Sequence, residues 1–197
     1  MATISIYRNI TLRVGRKGWL SGSFSLTGSD EVPGEADAAI LYDDADDEIS
    51  NLLFDQFMEM LRGACENPKP EDEIKIIRYL EKHHILKLID RLCREIYNTS
   101  RRLDLISLLD VAYKWAVSSD DVNLVKLGIS LMGMMNVDER EDCRKAIVTL
   151  GKHEEFTFYS LYAVSGWDDA EEIMDGYAAH LKGWGKKHAE LWREKEW

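Results

Sequence analysis

From Ile49 onward the apolar residues recur at the three- and four-residue spacing of a helical face, and everything after Asp46 reads as helix. Ile49, Leu52, Leu53, Phe57, Met60, Leu61 and Ala64 form the first such stripe, with Asp46, Asp47 and Glu48 at its start, where carboxylates favour the positive end of the helix dipole. Asn67-Pro68-Lys69-Pro70 breaks it. Pro70, followed by Glu71, Asp72 and Glu73, suits the first position of a second helix lined by Ile74, Ile77 and Leu80. After His83 the pattern resumes with Ile85, Ile89, Leu92, Cys93 and Ile96, and Asn98-Thr99-Ser100 caps a helix through Leu105, Leu108, Leu109, Ala112 and Trp115.

Ser118-Ser119-Asp120-Asp121 opens the stretch from Val122 to Met135, which is apolar on nearly all sides and is expected to be the most buried helix. Cys143, Ala146, Ile147 and Leu150 mark the next, ended by Gly151. Phe156, Tyr159, Tyr162 and Ala163 mark another, closed by Gly166. Asp168 caps a helix carrying Ala170, Ile173, Met174, Tyr177 and Leu181, and Trp184, His188, Leu191 and Trp192 complete the set.

The first segment reads differently. Ile4, Ile6, Ile10, Leu12 and Val14 alternate as short strands would, and Gly22-Ser23-Phe24-Ser25-Leu26 predicts another. Gly15-Arg16-Lys17-Gly18 makes the turn between them, and Pro33-Gly34 signals a turn in the loop from Gly28. Ala36 to Tyr42 fits a strand edge or a helical turn. Strands this few must pack on the helices behind them.

Helices begin about every 15 to 19 residues, so two together match the period of roughly 33 to 47 residues found in helical-hairpin repeats. The expected fold is mainly α: an irregular α-solenoid of HEAT/armadillo-like hairpins with a small N-terminal β-hairpin or sheet. An irregular bundle is the competing arrangement. Residues 1–45 form a β arm and acidic loop packed on a helical body, 46–197, in one structural domain.

Charge changes this picture. Nine acids and no base lie between Asp30 and Glu48, whereas the first 29 residues hold Arg8, Arg13, Arg16 and Lys17 and no acid. The net formal charge is −11, which argues against direct nucleic-acid binding. No run of 18 apolar residues predicts a membrane span, and Met1 to Arg8 does not read as a signal peptide. Cys65, Cys93 and Cys143 are an odd number inside helical patterns, which suggests reduced thiols in a cytoplasm.

Catalytic templates fail: there is no His-Glu-x-x-His, Cys-x-x-Cys, Gly-x-Ser-x-Gly or phosphate loop, and no cofactor is expected. His83 and His84 are adjacent, so their rings diverge, and no metal site is expected there or at His153, His180 and His188. Met132, Met134 and Met135 read as packing. Four of the six tryptophans fall in the last 31 residues. Phe156, Tyr159 and Tyr162 share a face and read as core, while Phe158 and Trp197 fall outside it and are expected to be exposed.

Glu155-Phe156-Thr157, Trp167 and Gly183-Trp184-Gly185-Lys186 with His188 resemble a pattern in bacterial helical-repeat proteins, some of which carry a "limonene hydroxylase" label. In that family the Gly-Trp-Gly segment leads into further helices, whereas here it is followed by the residues to Trp197; no cofactor-binding residue matches, so no hydroxylase activity is carried over. By general type the whole chain is similar to toxin-neutralising immunity proteins of contact-dependent inhibition systems, which are small, cytoplasmic, often acidic and without catalytic motifs.

The expected function is that of a non-enzymatic module that binds a basic protein, with a nuclease-type toxin as the natural partner. Its expected contact residues are Tyr42, Asp43, Asp44, Asp46, Asp47 and Glu48, with Phe158 and Trp197 as aromatic anchors. A helical-repeat scaffold or adaptor is the second expectation, and a small-molecule enzyme the third.

Overall fold

The computed structural model describes residues 4–22, 24–26, 32–42, 49–98, 104–135 and 137–194. Among them are eleven helices and no named strand: α1 (Ile6–Arg13), α2 (Glu35–Tyr42), α3 (Asn51–Glu66), α4 (Pro70–Lys82), α5 (Leu86–Asn98), α6 (Leu105–Ser118), α7 (Val122–Met134), α8 (Glu141–Leu150), α9 (Thr157–Val164), α10 (Ala170–His180) and α11 (Gly183–Glu194). The mainly α class is therefore as the periodicity predicts. No described helix is long and apolar enough to cross a membrane.

The expected N-terminal strands are absent from the described residues, and the first of them is helix α1. Ser5 caps it, its hydroxyl accepting from the Arg8 amide at 3.4 Å. The deciding pair is Ile6 and Ile10, which stand four apart on one helical face and are both buried. That face lies against α6 and α8, while Ile4 and Leu12, which a strand would have turned inward, are 57% and 70% exposed. A β-branched, alternating sequence is thus overridden by a docking surface for two isoleucines. The turn at Gly15-Arg16-Lys17-Gly18 does form. Val14 and Leu20 make an isolated antiparallel bridge across it, the Gly15 amide donates to the Trp19 carbonyl at 2.9 Å, and Gly18 takes φ +81°. Phe24 to Leu26 form no strand. The stretch from Ala36 to Tyr42 is helix α2.

Pro70 opens α4 as expected. Its buried face is Ile76, Tyr79 and Leu80, however, and Ile74 is 47% exposed. Tyr79 turns the helix this way: its ring packs on Phe57 at 5.3 Å and its hydroxyl donates to the Leu53 carbonyl at 2.9 Å. Ser50 caps α3, Asp104 caps α6 and Asp121 caps α7, each through a side-chain oxygen that accepts a backbone N–H. The expected cap at Asn98-Thr99-Ser100 is corrected, because Asn98 ends α5 and Asp104 holds the N-cap of α6; Thr99, Ser100 and the acids Asp46 to Glu48 lie outside the described residues. Asp169, rather than Asp168, stands at the start of α10, and its carboxylate pairs with Arg144.

Helix α7 is the centre of the molecule, touching α4, α5, α6 and α9. From Leu124 to Met132 every residue is buried. Gly128 lets α6 approach closely, because a β-carbon there would stand 2.6 Å from the Ala112 carbonyl oxygen. Met132 and Met134 are packed, as expected, and one apolar core runs from Ile6 to Ala189.

Candidate functional site

The one charge in the apolar run of α7 is Lys126, only 2% exposed. An unpaired ammonium at that depth is prohibitively costly, and the fold gives it two carboxylates. Its Nζ lies 2.9 Å from Asp37 Oδ2 on α2 and 2.5 Å from Glu155 Oε1 just before α9. Asp37 is itself 1% exposed. Its Oδ1 accepts from the Tyr159 hydroxyl at 2.8 Å and lies 3.1 Å from His84 Nε2. The Leu86 amide donates to His84 Nδ1, so the ring proton sits on Nε2 and points at Asp37. Glu155 Oε2 accepts from the Gly34 amide at 2.9 Å, at the positive end of α2. Gly34 has φ +80°, and a β-carbon there would stand 3.0 Å from the Glu154 carbonyl oxygen.

These contacts clamp α2 onto α7 and α9, and they set what the cluster can do chemically. Burial works against the charge of Asp37, but His84 and Lys126 outweigh it and hold its pKa below the ordinary carboxylate value. Burial likewise opposes the charge of Lys126, yet Asp37 and Glu155 raise its pKa. Burial, with Asp37 alongside, pushes the Tyr159 phenol well up. Lys126 thus stays protonated, Asp37 ionised and Tyr159 a donor, so that the buried charges balance one another as in a structural clamp. Glu155 borders a cleft of about 260 Å³.

The clamp delivers Tyr42, the last residue of α2, to the face of α11 formed by Trp184, His188 and Trp192. Tyr42 is 47% exposed, and its hydroxyl lies 3.0 Å from His188 Nδ1. Its ring is stacked on Trp184 at 6.0 Å and on His188 at 5.9 Å. Phe158 packs edge-on to His188 at 5.6 Å and to Trp192 at 5.4 Å. Tyr42 and Phe158, far apart in the chain, therefore meet across one histidine. Phe158 is not exposed as expected but half-buried, because the α11 aromatics cover it. His188 is 2% exposed, and its Nε2 has no hydrogen-bond partner among the described residues. Burial drives its pKa down to about 4. Lys187 lies over both rings of the pair, with Nζ 4.3 Å from the Trp184 centroid and 5.5 Å from that of Tyr42.

Asp43, Asp44, Asp46, Asp47, Glu48 and Trp197 lie outside the described residues. The two ends of the acidic run are placed: Tyr42 on α11, and Ile49, whose carbonyl accepts from Arg91 at 3.4 Å. Asp37, counted with that run in sequence, is core. The rings of His83 and His84 do diverge, His83 against Tyr79 and His84 toward Asp37. His180 stacks on Trp19. No group of three His, Cys, Asp or Glu among the described residues is placed to hold a metal ion.

The motif residues of the C-terminal third also converge. A β-carbon on Gly185 would stand 2.8 Å from Thr157 Oγ1, and Gly183 takes φ +51° beside the Glu154 carboxylate. Small residues at 183 and 185 thus let α11 settle on the start of α9 and carry Trp184 and His188 to Tyr42.

Comparison of the chain with protein-family models, with curated proteins and with solved structures gives no match.

Proposed function

We propose that this chain is a non-enzymatic protein-binding module that neutralises a basic, nuclease-type bacterial toxin in the cytoplasm by covering its active surface. The observation that carries this reading is the union of the acidic run with a braced aromatic edge. Tyr42 is held half-exposed by a buried ion cluster and by α11, and Asp43, Asp44, Asp46, Asp47 and Glu48 follow it directly in the chain. A nuclease must present lysines and arginines to its substrate, and clustered carboxylates compete for them.

Two further points support it. The buried charges of Lys126 and Asp37 are matched to each other, as a clamp requires. The general likeness to immunity proteins is of the same kind: small, cytoplasmic, often acidic and without catalytic motifs. The architecture that goes with this reading is an irregular solenoid of helical hairpins, from residue 46 onward, with the arm of residues 1–45 packed on it.

The test is affinity capture from cells that encode the chain, comparing it with a variant carrying Asp→Asn at 43, 44, 46 and 47. A basic protein retained by the native chain and lost by the variant, whose toxicity the native chain suppresses, is the expected result. Retention of the same protein by both chains would remove the acidic run from the interface.

A further inference from the structure

Most exposed lysines extend into water, but Lys187 lies flat across two aromatic faces. The Tyr42 and Trp184 rings are 22° from parallel with centroids 6.0 Å apart, and the Lys187 ammonium sits over both. This geometry is that of a cation seat, occupied by the chain's own cation. Both rings are reachable from solvent, Tyr42 at 47% exposure and Trp184 half-buried. The rings are also hard to displace. Tyr42 is fixed through His188 Nδ1, and α2 behind it through Asp37 and Lys126. The chain then passes directly into Asp43 and Asp44.

We propose that the Tyr42–Trp184 pair is the seat for an arginine side chain of the basic partner, with Lys187 giving up its place as the guanidinium stacks on the rings. The inference rests on the acidic-interface reading above and adds a chemical preference to it. A guanidinium is planar, more weakly hydrated than an ammonium and able to stack on an aromatic face while donating hydrogen bonds sideways to carboxylates. A lysine of the partner gains little by replacing another lysine, whereas an arginine gains the stacking. Charge alone makes the acidic run attractive to any cation; the ring pair makes the interface select arginine.

The experiment titrates acetylated hexa-arginine and hexa-lysine amides, at equal ionic strength, into the full-length chain. It follows the tryptophan indole N–H signals by NMR, that of Trp184 being identified with Trp184→Phe. Hexa-arginine is expected to move the Trp184 signal and leave that of buried Trp115 in place. It is expected to bind about two to five times more tightly than hexa-lysine, the range that one exposed cation–π contact supports. Tyr42→Leu and Trp184→Leu should bring the two peptides level while both still bind, and Lys187→Gln should strengthen hexa-arginine more than hexa-lysine. Equal binding of the peptides to the native chain, or a Trp184 signal that stays still, overturns the arginine seat and leaves the acidic interface standing. If neither peptide binds, the acidic interface falls and the seat falls with it. The Trp184 signal of the native chain decides the matter even if a leucine variant fails to fold.

Discussion

At the scale of single residues, two buried groups govern stability through their protonation. Lys126 is held between Asp37 and Glu155. Removing its charge leaves the buried Asp37 carboxylate facing Glu155 with no cation between them. Lys126→Met should therefore cost about 3 to 5 kcal/mol, as breaking a buried pair from one side does. Adding Asp37→Asn to it should recover part of the loss; urea unfolding of the single and double variants measures both. His188 acts in the opposite sense to an ion pair. Its folded pKa is depressed to about 4 by burial, against about 6.5 in an unfolded chain. Above pH 6.5 neither state is protonated and the histidine contributes no penalty. As pH falls from 6.5 to 4 the unfolded chain takes up a proton that the folded chain refuses, so stability drops, by up to about 3 kcal/mol, and then levels off. His153, whose pKa burial also lowers, adds to the same trend. Thermal unfolding at pH 7.5 and pH 4.5 should show a decline that is smaller by several degrees in His188→Asn. Equal declines in the two chains would remove His188 as the source.

At the scale of elements, the contrast between two helical glycines tests how the helices pack. Gly63 in α3 has open space where a β-carbon would go, whereas at Gly128 in α7 that carbon would meet the α6 backbone at 2.6 and 2.9 Å. Gly63→Ala should stabilise by up to about 1 kcal/mol through helix propensity alone. Gly128→Ala should instead destabilise by roughly 1 to 3 kcal/mol, because backbone atoms cannot rotate out of the way. Chemical denaturation of the two variants gives opposite signs if α6 and α7 pack this closely, and a gain at both positions would contradict it. The helices themselves were largely legible, since Leu124 to Met132 or Cys143, Ala146, Ile147 and Leu150 leave one reading of their spacing. Helix α1 was not: its Ile and Thr content imitates a strand, and only the meeting of Ile6 and Ile10 with α6 and α8 decides otherwise. The site was half legible. Tyr42 and Phe158 could be singled out as aromatics beside an acidic run or off a core face, but His188 joins them from a distant part of the chain. Lys126 did carry a signal, as the one charge in an apolar helix, because a buried ammonium implies carboxylate partners. Which carboxylates answer it is set by tertiary packing. Asp37, one of nine acids in that stretch, looks no different in sequence from its exposed neighbour Glu35.

At the scale of the whole molecule, charge is distributed by segment: a basic stretch to residue 29, nine acids from Asp30 to Glu48, and a helical body of mild negative charge. Of the two described acids in that stretch Asp37 is core, and five of the nine follow Tyr42 directly in sequence, up to Ile49. Clustered negative charge of this kind in sequence draws a basic partner in from beyond contact distance, and salt weakens that attraction over a Debye length of about 8 Å at physiological ionic strength. Binding kinetics should accordingly divide in two. The association rate of the captured basic protein should fall by about tenfold or more from low to physiological salt, while dissociation, governed by the aromatic edge and desolvated contacts, should change far less. In the chain with Asn at 43, 44, 46 and 47 the slope of association rate against salt should flatten. In Trp184→Leu that slope should stay as it is and dissociation should quicken instead. Surface-bound kinetics over a salt series separates these outcomes. An association rate indifferent to salt in the native chain would mean that the partner is recognised by shape alone, and that the acidic run serves only to solvate the segment between α2 and α3.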